Sequence, residues 1–206
     1  MTLHSLTRAA GWLLGFFIIL EAILLWLAPA EQTLGQVVKL VYLHGALIRA
    51  CLLGFSVAGL LGVAALIWRR PGLVAWLQAT QSGVLLVWLI YLISSMVVTY
   101  LAWGVAIAWG EPRVAATIRI SIAALVICVV VELLKQPALT ALGSILLAGV
   151  AWWATQSAGV IRHPLDPIGT SSSVAIRGAY AGIVAVMLVI VALIIFLFRA
   201  RQSAGR

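Results

Sequence analysis

Apolar residues in this chain come in runs of helix length, and the polar residues between them fall in short clusters. The first run covers 10–27 and breaks at Ala28-Pro29-Ala30-Glu31. The second lies within 36–68 and stops at Arg69-Arg70-Pro71-Gly72. The third lies within 73–100 and leads into Trp103-Gly104-Val105-Ala106-Ile107-Ala108-Trp109-Gly110-Glu111-Pro112-Arg113. The fourth covers 114–134, up to Lys135-Gln136-Pro137, and the fifth covers 138–153, up to Trp152-Trp153. A polar connection over 155–177 precedes the sixth, 178–198, which ends in Arg199, Arg201 and Arg206. Runs of this size approach the ~20 residues a helix needs to cross a bilayer, and the two-residue alternation of a membrane barrel is missing. Helices and closed barrels alone satisfy their backbone groups in lipid. The pattern therefore predicts an all-α integral membrane protein: one six-transmembrane-helix bundle over 1–206, without an internal repeat.

Composition agrees with the pattern. A hydrophobic fraction of 65%, a charged fraction of 9% and a mean hydropathy of +1.20 exclude an ordinary soluble domain. The net charge of +8 is spread along the chain rather than gathered in a patch, which argues against nucleic-acid binding. Its distribution carries orientation instead. Arg8, Arg69, Arg70, Lys135, Arg199, Arg201 and Arg206 share one side; Lys39, Arg49, Arg113, Arg119, Arg162 and Arg177 share the other, with Glu31, Glu111 and Asp166. The positive-inside bias places both termini in the cytoplasm. The connections at 28–39, 103–113 and 154–177 then face outward, where most of the unusual residues lie. Residues 1–30 also read as a secretory leader ending in Ala28-Pro29-Ala30, although the length of the run and Glu21 favour a retained span. Cys51 and Cys128 lie inside apolar runs, as small buried hydrophobes do.

Candidate chemistry concentrates at the outer end. His44 lies 25 residues before Arg69, or roughly 37 Å at ~1.5 Å per residue, which sets it at the outer interface of a ~30 Å hydrocarbon core. It reads either as a histidine hydrogen-bonded at a helix end or as a ligand. His163, between Arg162 and Pro164, reads either as a solvated loop residue or as a second ligand; His4 falls on the cytoplasmic side. A pair of neutral imidazoles suits the axial positions of haem iron. Trp103, Trp109, Trp152 and Trp153 are either an interfacial belt or a stacking surface for a flat ring. Arg113, Arg119, Arg162 and Arg177 suit carboxylates, haem propionates among them, or lipid headgroups. Glu21 and Arg49 lie within or near the membrane, and an ion pair between them is expected. No nucleophile–base pair, Walker loop, HExxH or CxxC motif points to a hydrolase, an ATPase or a zinc enzyme.

These residues resemble a known family: the haem-handling membrane proteins of cytochrome c assembly, in particular the six-helix haem-delivery component of cytochrome c maturation. That family carries an outer WGxxWxWDxRLT loop flanked by two histidines. Trp103-Gly104 resembles its opening, Trp109 a later tryptophan, and Arg113 with Thr117 its closing Arg and Thr. Tyr42-Leu43-His44 is similar to the first-histidine segment, and Trp152-Trp153-Ala154-Thr155 to the WWNT segment before the second. The likeness spans about 36–190. Ile107 stands where an aromatic is usual, Gly110-Glu111 replaces Trp-Asp, and Ser157 occupies the place of the second histidine, with His163 six residues on.

The resemblance implies a bacterial plasma-membrane protein that holds haem at the outer face for a haem chaperone or apocytochrome c. His44 and His163 would be the axial ligands, and Trp103, Trp109, Glu111, Arg113, Trp152, Trp153 and Arg162 would line the site. A second reading is a relative without haem, serving as a subunit or assembly factor among other membrane-complex subunits. A third is a small transporter built on Glu21 and Arg49. Membrane lipid is a partner in each.

Overall fold

A computed structural model describes residues 3–32, 34–159, 161, 168 and 171–204. Among them are six helices: α1 (Leu3–Leu27), α2 (Val38–Trp68), α3 (Pro71–Trp103), α4 (Pro112–Leu134), α5 (Pro137–Ser157) and α6 (Val174–Ala204). Each is long and apolar enough to cross a membrane. The chain is a multi-pass, six-helix membrane bundle, as the apolar runs predict.

The helix starts are set by proline. Pro71, Pro112 and Pro137 each open a helix, and the residue before each is extended. Proline at the first position costs no hydrogen bond, because that N–H has no partner inside the helix. Two turns share one design. Arg69 and Lys135 take left-handed conformations (φ 49° and 48°) and return their N–H groups to Ala65 and Val131. An extended residue and a proline follow each. The result is a pair of tight helical hairpins, α2–α3 and α4–α5, closed at the same end of the bundle.

Helix α2 is the centre. It packs against α3, α5 and α6, whereas α1 lies on α6 and α4 on α5 as outer members. Small residues permit this crowding, since in lipid close packing must replace the hydrophobic drive between helices. A Cβ on Gly62 would lie 2.7 Å from the Ala141 carbonyl oxygen, and one on Gly59 would lie 2.9 Å from the Ala148 Cβ. Polar pins supplement packing. The Ser144 hydroxyl is shared between Gln81 Oε1 (3.0 Å) and the Thr140 carbonyl (2.9 Å), tying α5 to α3. At the opposite end, Tyr42 Oη donates to the Pro29 carbonyl and Lys39 Nζ to that of Trp26, holding the α1–α2 connection on α2.

The expected Glu21–Arg49 ion pair is not formed. Glu21 is buried, and neither of its carboxylate oxygens has a hydrogen-bond partner. The Arg49 guanidinium instead lies 4.9 Å from the centre of the Tyr180 ring on α6. The reason is the order of packing: α1 lies along α6 and barely meets α2, which carries Arg49.

Candidate functional site

His44 lies six residues into α2, about 9 Å from its first residue at 1.5 Å per residue. Its ring is half-buried and stacks on Tyr91 of α3, with centroids 4.8 Å apart and planes at 24°. Tyr91 leans on Trp88 (4.8 Å), and Trp88 on Phe55 (5.7 Å). Four rings from α2 and α3 thus form a continuous column, with His44 at its end nearest the Trp103–Arg113 segment.

Ser94 links this column to the histidine by hydrogen bonds. Ser94 Oγ donates its single proton to the Tyr91 carbonyl at 2.8 Å, one turn back along α3. The same oxygen lies 3.4 Å from His44 Nδ1 and, with its proton on Tyr91, is placed to accept. In the tautomer with the proton on Nδ1, that nitrogen donates to Ser94 Oγ and the lone pair belongs to Nε2. Metal-binding histidines are oriented in this way, with one nitrogen holding a neighbour and the other serving as ligand.

Helix α4 closes the column with the same logic. Thr117 Oγ1 donates to the Arg113 carbonyl (2.9 Å), so it accepts from Tyr91 Oη at 3.3 Å. Ser121 Oγ donates to the Thr117 carbonyl (2.9 Å) and accepts from Trp88 Nε1 at 3.1 Å. Hydroxyls four residues apart on α4 thus meet aromatic donors three residues apart on α3, both natural spacings for one helix face.

Trp103 is the last residue of α3, and Gly104 ends the helix with φ 77°, its N–H returning to Tyr100 at 2.8 Å. The connection to α4 is therefore 104–111, and Arg113 belongs to the first turn of α4. The Glu111 N–H bonds the Ala108 carbonyl (2.9 Å), closing a turn around Trp109-Gly110. Glu111 is buried at the α4 N-terminus, where the helix dipole favours a carboxylate. Its Oε1 accepts from the Ile161 N–H at 3.4 Å, joining this loop to the α5–α6 connection.

The structure brings together part of the expected set. His44 stacks on Tyr91, which bonds Thr117, whose hydroxyl also meets the Arg113 carbonyl, and Glu111 lies one residue before the same helix α4. Trp103 lies nine residues beyond Ser94 along α3, or about 13 Å, and Trp109 sits at the loop tip, 73% exposed. Trp152 is elsewhere. Its Nε1 donates to Ser56 Oγ (2.7 Å), and Ser56 lies twelve residues from His44 along α2, about 18 Å. Trp153, 62% exposed, faces outward beside it. His163 and Arg162 lie outside the described residues; Ile161, which meets Glu111, immediately precedes them in sequence.

Tyr91, Ser94 and Tyr180 are the residues that sequence reasoning missed. The signal for the first two was present: Trp88, Tyr91 and Ser94 recur every third residue within an apolar run, marking one helix face. Tyr180 has a quieter marker in Gly45, directly after His44. A Cβ there would come within 2.6 Å of Tyr180 Oη, so glycine admits this ring beside the histidine. Tyr180 also contacts Tyr42 (6.2 Å) and supports Arg49.

Chemically, the site offers one oriented imidazole, a stacked aromatic wall and nearby arginines. An imidazole is a possible ligand for haem iron, and a guanidinium a possible partner for carboxylates. No group of three or more His, Cys, Asp or Glu residues suited to a bare metal ion occurs among the described residues. Compared with known proteins, the chain matches no family model and no curated sequence.

Proposed function

We propose that this protein binds haem at the end of the bundle bearing the 104–111 loop, with His44 Nε2 as an iron ligand. The observation that carries the reading is the Ser94–His44–Tyr91 arrangement, in which the imidazole stacks on Tyr91 and its Nδ1 lies within hydrogen-bond reach of Ser94 Oγ. Arg113 and Arg49 are the candidate propionate partners on this chain, and Arg162 and His163 are candidates from the α5–α6 connection. Bound haem would supply the redox and ligand chemistry; the protein's part is to hold and orient it. Resemblance to the haem-delivery proteins of cytochrome c assembly supports a carrier role. Haem would then pass to a chaperone or apocytochrome c on the outer face of a bacterial plasma membrane, with both termini cytoplasmic.

The test is the visible spectrum of protein purified from haem-replete cells. A Soret band in the unaltered protein that is lost in His44→Ala is the expected result. No band in the unaltered protein would refute haem binding.

One observation favours a second reading, that of a haem-free subunit or assembly factor. Trp152 lies on Ser56, about 18 Å along α2 from His44, and Trp109 and Trp153 are largely exposed, so these rings do not form a buried stacking surface. Stable co-purification with a larger membrane complex, without haem in this chain, would select that reading.

A further inference from the structure

A shallow groove of about 330 Å³ lies along the α4–α5 pair, and His44 is not among its lining residues. It is lined by Arg119, Ile122, Ala123, Val126 and Ile127 of α4 and by Leu146 of α5. Small residues account for the hollow: Ala123 leaves room where Ile122 and Val126 stand out into the bilayer. The helices close again toward the α4–α5 turn, where a Cβ on Gly143 would come within 2.7 Å of Ile127.

Arg119 is the anomaly. It lies seven residues past Pro112, about 10 Å down α4, on a helix that itself spans little more than a ~30 Å hydrocarbon core. Its side chain is exposed, and among the described residues it makes no hydrogen bond or ion pair. A guanidinium on the lipid side at this depth is costly unless it reaches the headgroup layer or meets an anion. The groove leads from this charge into purely apolar walls, a layout that matches an amphiphile with an anionic head and a hydrocarbon tail. It contains no carboxylate to receive the ammonium of a zwitterionic headgroup. Its volume is at the low end for small-molecule sites, which suits one acyl chain.

We propose that the α4–α5 groove is a binding site for an anionic phospholipid, with Arg119 pairing to the phosphate and an acyl chain lying along Ile122, Ala123 and Val126. The site is independent of the haem reading.

Native mass spectrometry of the full-length protein in mild detergent tests it, with phosphatidylglycerol or phosphatidylcholine added back to delipidated samples. The unaltered protein should retain one phosphatidylglycerol in preference to phosphatidylcholine. Arg119→Ala should weaken retention roughly tenfold, as expected for one charge-assisted hydrogen bond. Ala123→Phe, which fills the groove and keeps the charge, should do the same, while both variants keep the helical circular dichroism of the parent. Equal retention of the two lipids, unchanged retention in either variant, or occupancy of the groove by haem would overturn the proposal.

Discussion

Ser94 is worth more to this site than its size suggests. Its hydroxyl bonds the Tyr91 carbonyl and lies 3.4 Å from His44 Nδ1, the geometry that suits an Nδ1–H imidazole with its lone pair on Nε2. Ser94→Ala removes that acceptor without removing the ligand. Haem affinity should fall by about 10–100-fold, the usual effect of losing a ligand's orienting partner, while the Soret position stays that of an imidazole-ligated haem. A titration of haem into the purified variant measures both. Gly45 has a complementary role. Gly45→Ala pushes a methyl against Tyr180 Oη and should cost about 1–3 kcal/mol, as overpacking does. Adding Tyr180→Phe deletes the nearest atom and should recover much of that loss in thermal unfolding.

Among the helices, α1 is the least integrated. It rests on α6 and carries Trp12, Phe16, Ile19 and Trp26 largely exposed, yet it buries Glu21 with no hydrogen-bond partner for either oxygen. A buried acid without partners is a net cost, so Glu21→Leu should stabilise the protein by roughly 1–3 kcal/mol, read as a higher melting temperature in detergent. A lower one would show that the carboxyl has a role in the membrane. The helices themselves were legible, because Arg69-Arg70-Pro71 and Lys135-Gln136-Pro137 punctuate unbroken apolar runs. Neighbour relations were not. Glu21 and Arg49 look like natural partners in sequence, but α1 packs mainly on α6 rather than on α2, and the Arg49 guanidinium lies over Tyr180 instead. Helix order in space depends on which small residues meet, such as Gly62 on the Ala141 backbone, and no one-dimensional periodicity encodes that pairing.

Across the whole molecule, the candidate site lies at one end of an apolar bundle, and α2 organises it. Tyr91 stacks on one side of α2 and Tyr180 packs on another, so His44 sits where three helices meet. His44 and the 104–111 loop were readable as candidates, since an imidazole, an acid and an arginine stand out against lipid-facing sequence. The distribution of the tryptophans was not. Trp152 and Trp153 follow each other in a motif-like string, but helix rise places Trp152 on Ser56, deep along α2 and far from the histidine.

The most direct measurement is a haem titration of His44→Gly in detergent, with and without added imidazole. The account predicts that affinity falls by more than about 100-fold, since loss of a ligand exceeds loss of its orienting partner. It also predicts that free imidazole restores the Soret band by occupying the vacated position. Unchanged affinity, or a loss that imidazole fails to rescue while the bundle remains folded, would contradict His44 as an iron ligand.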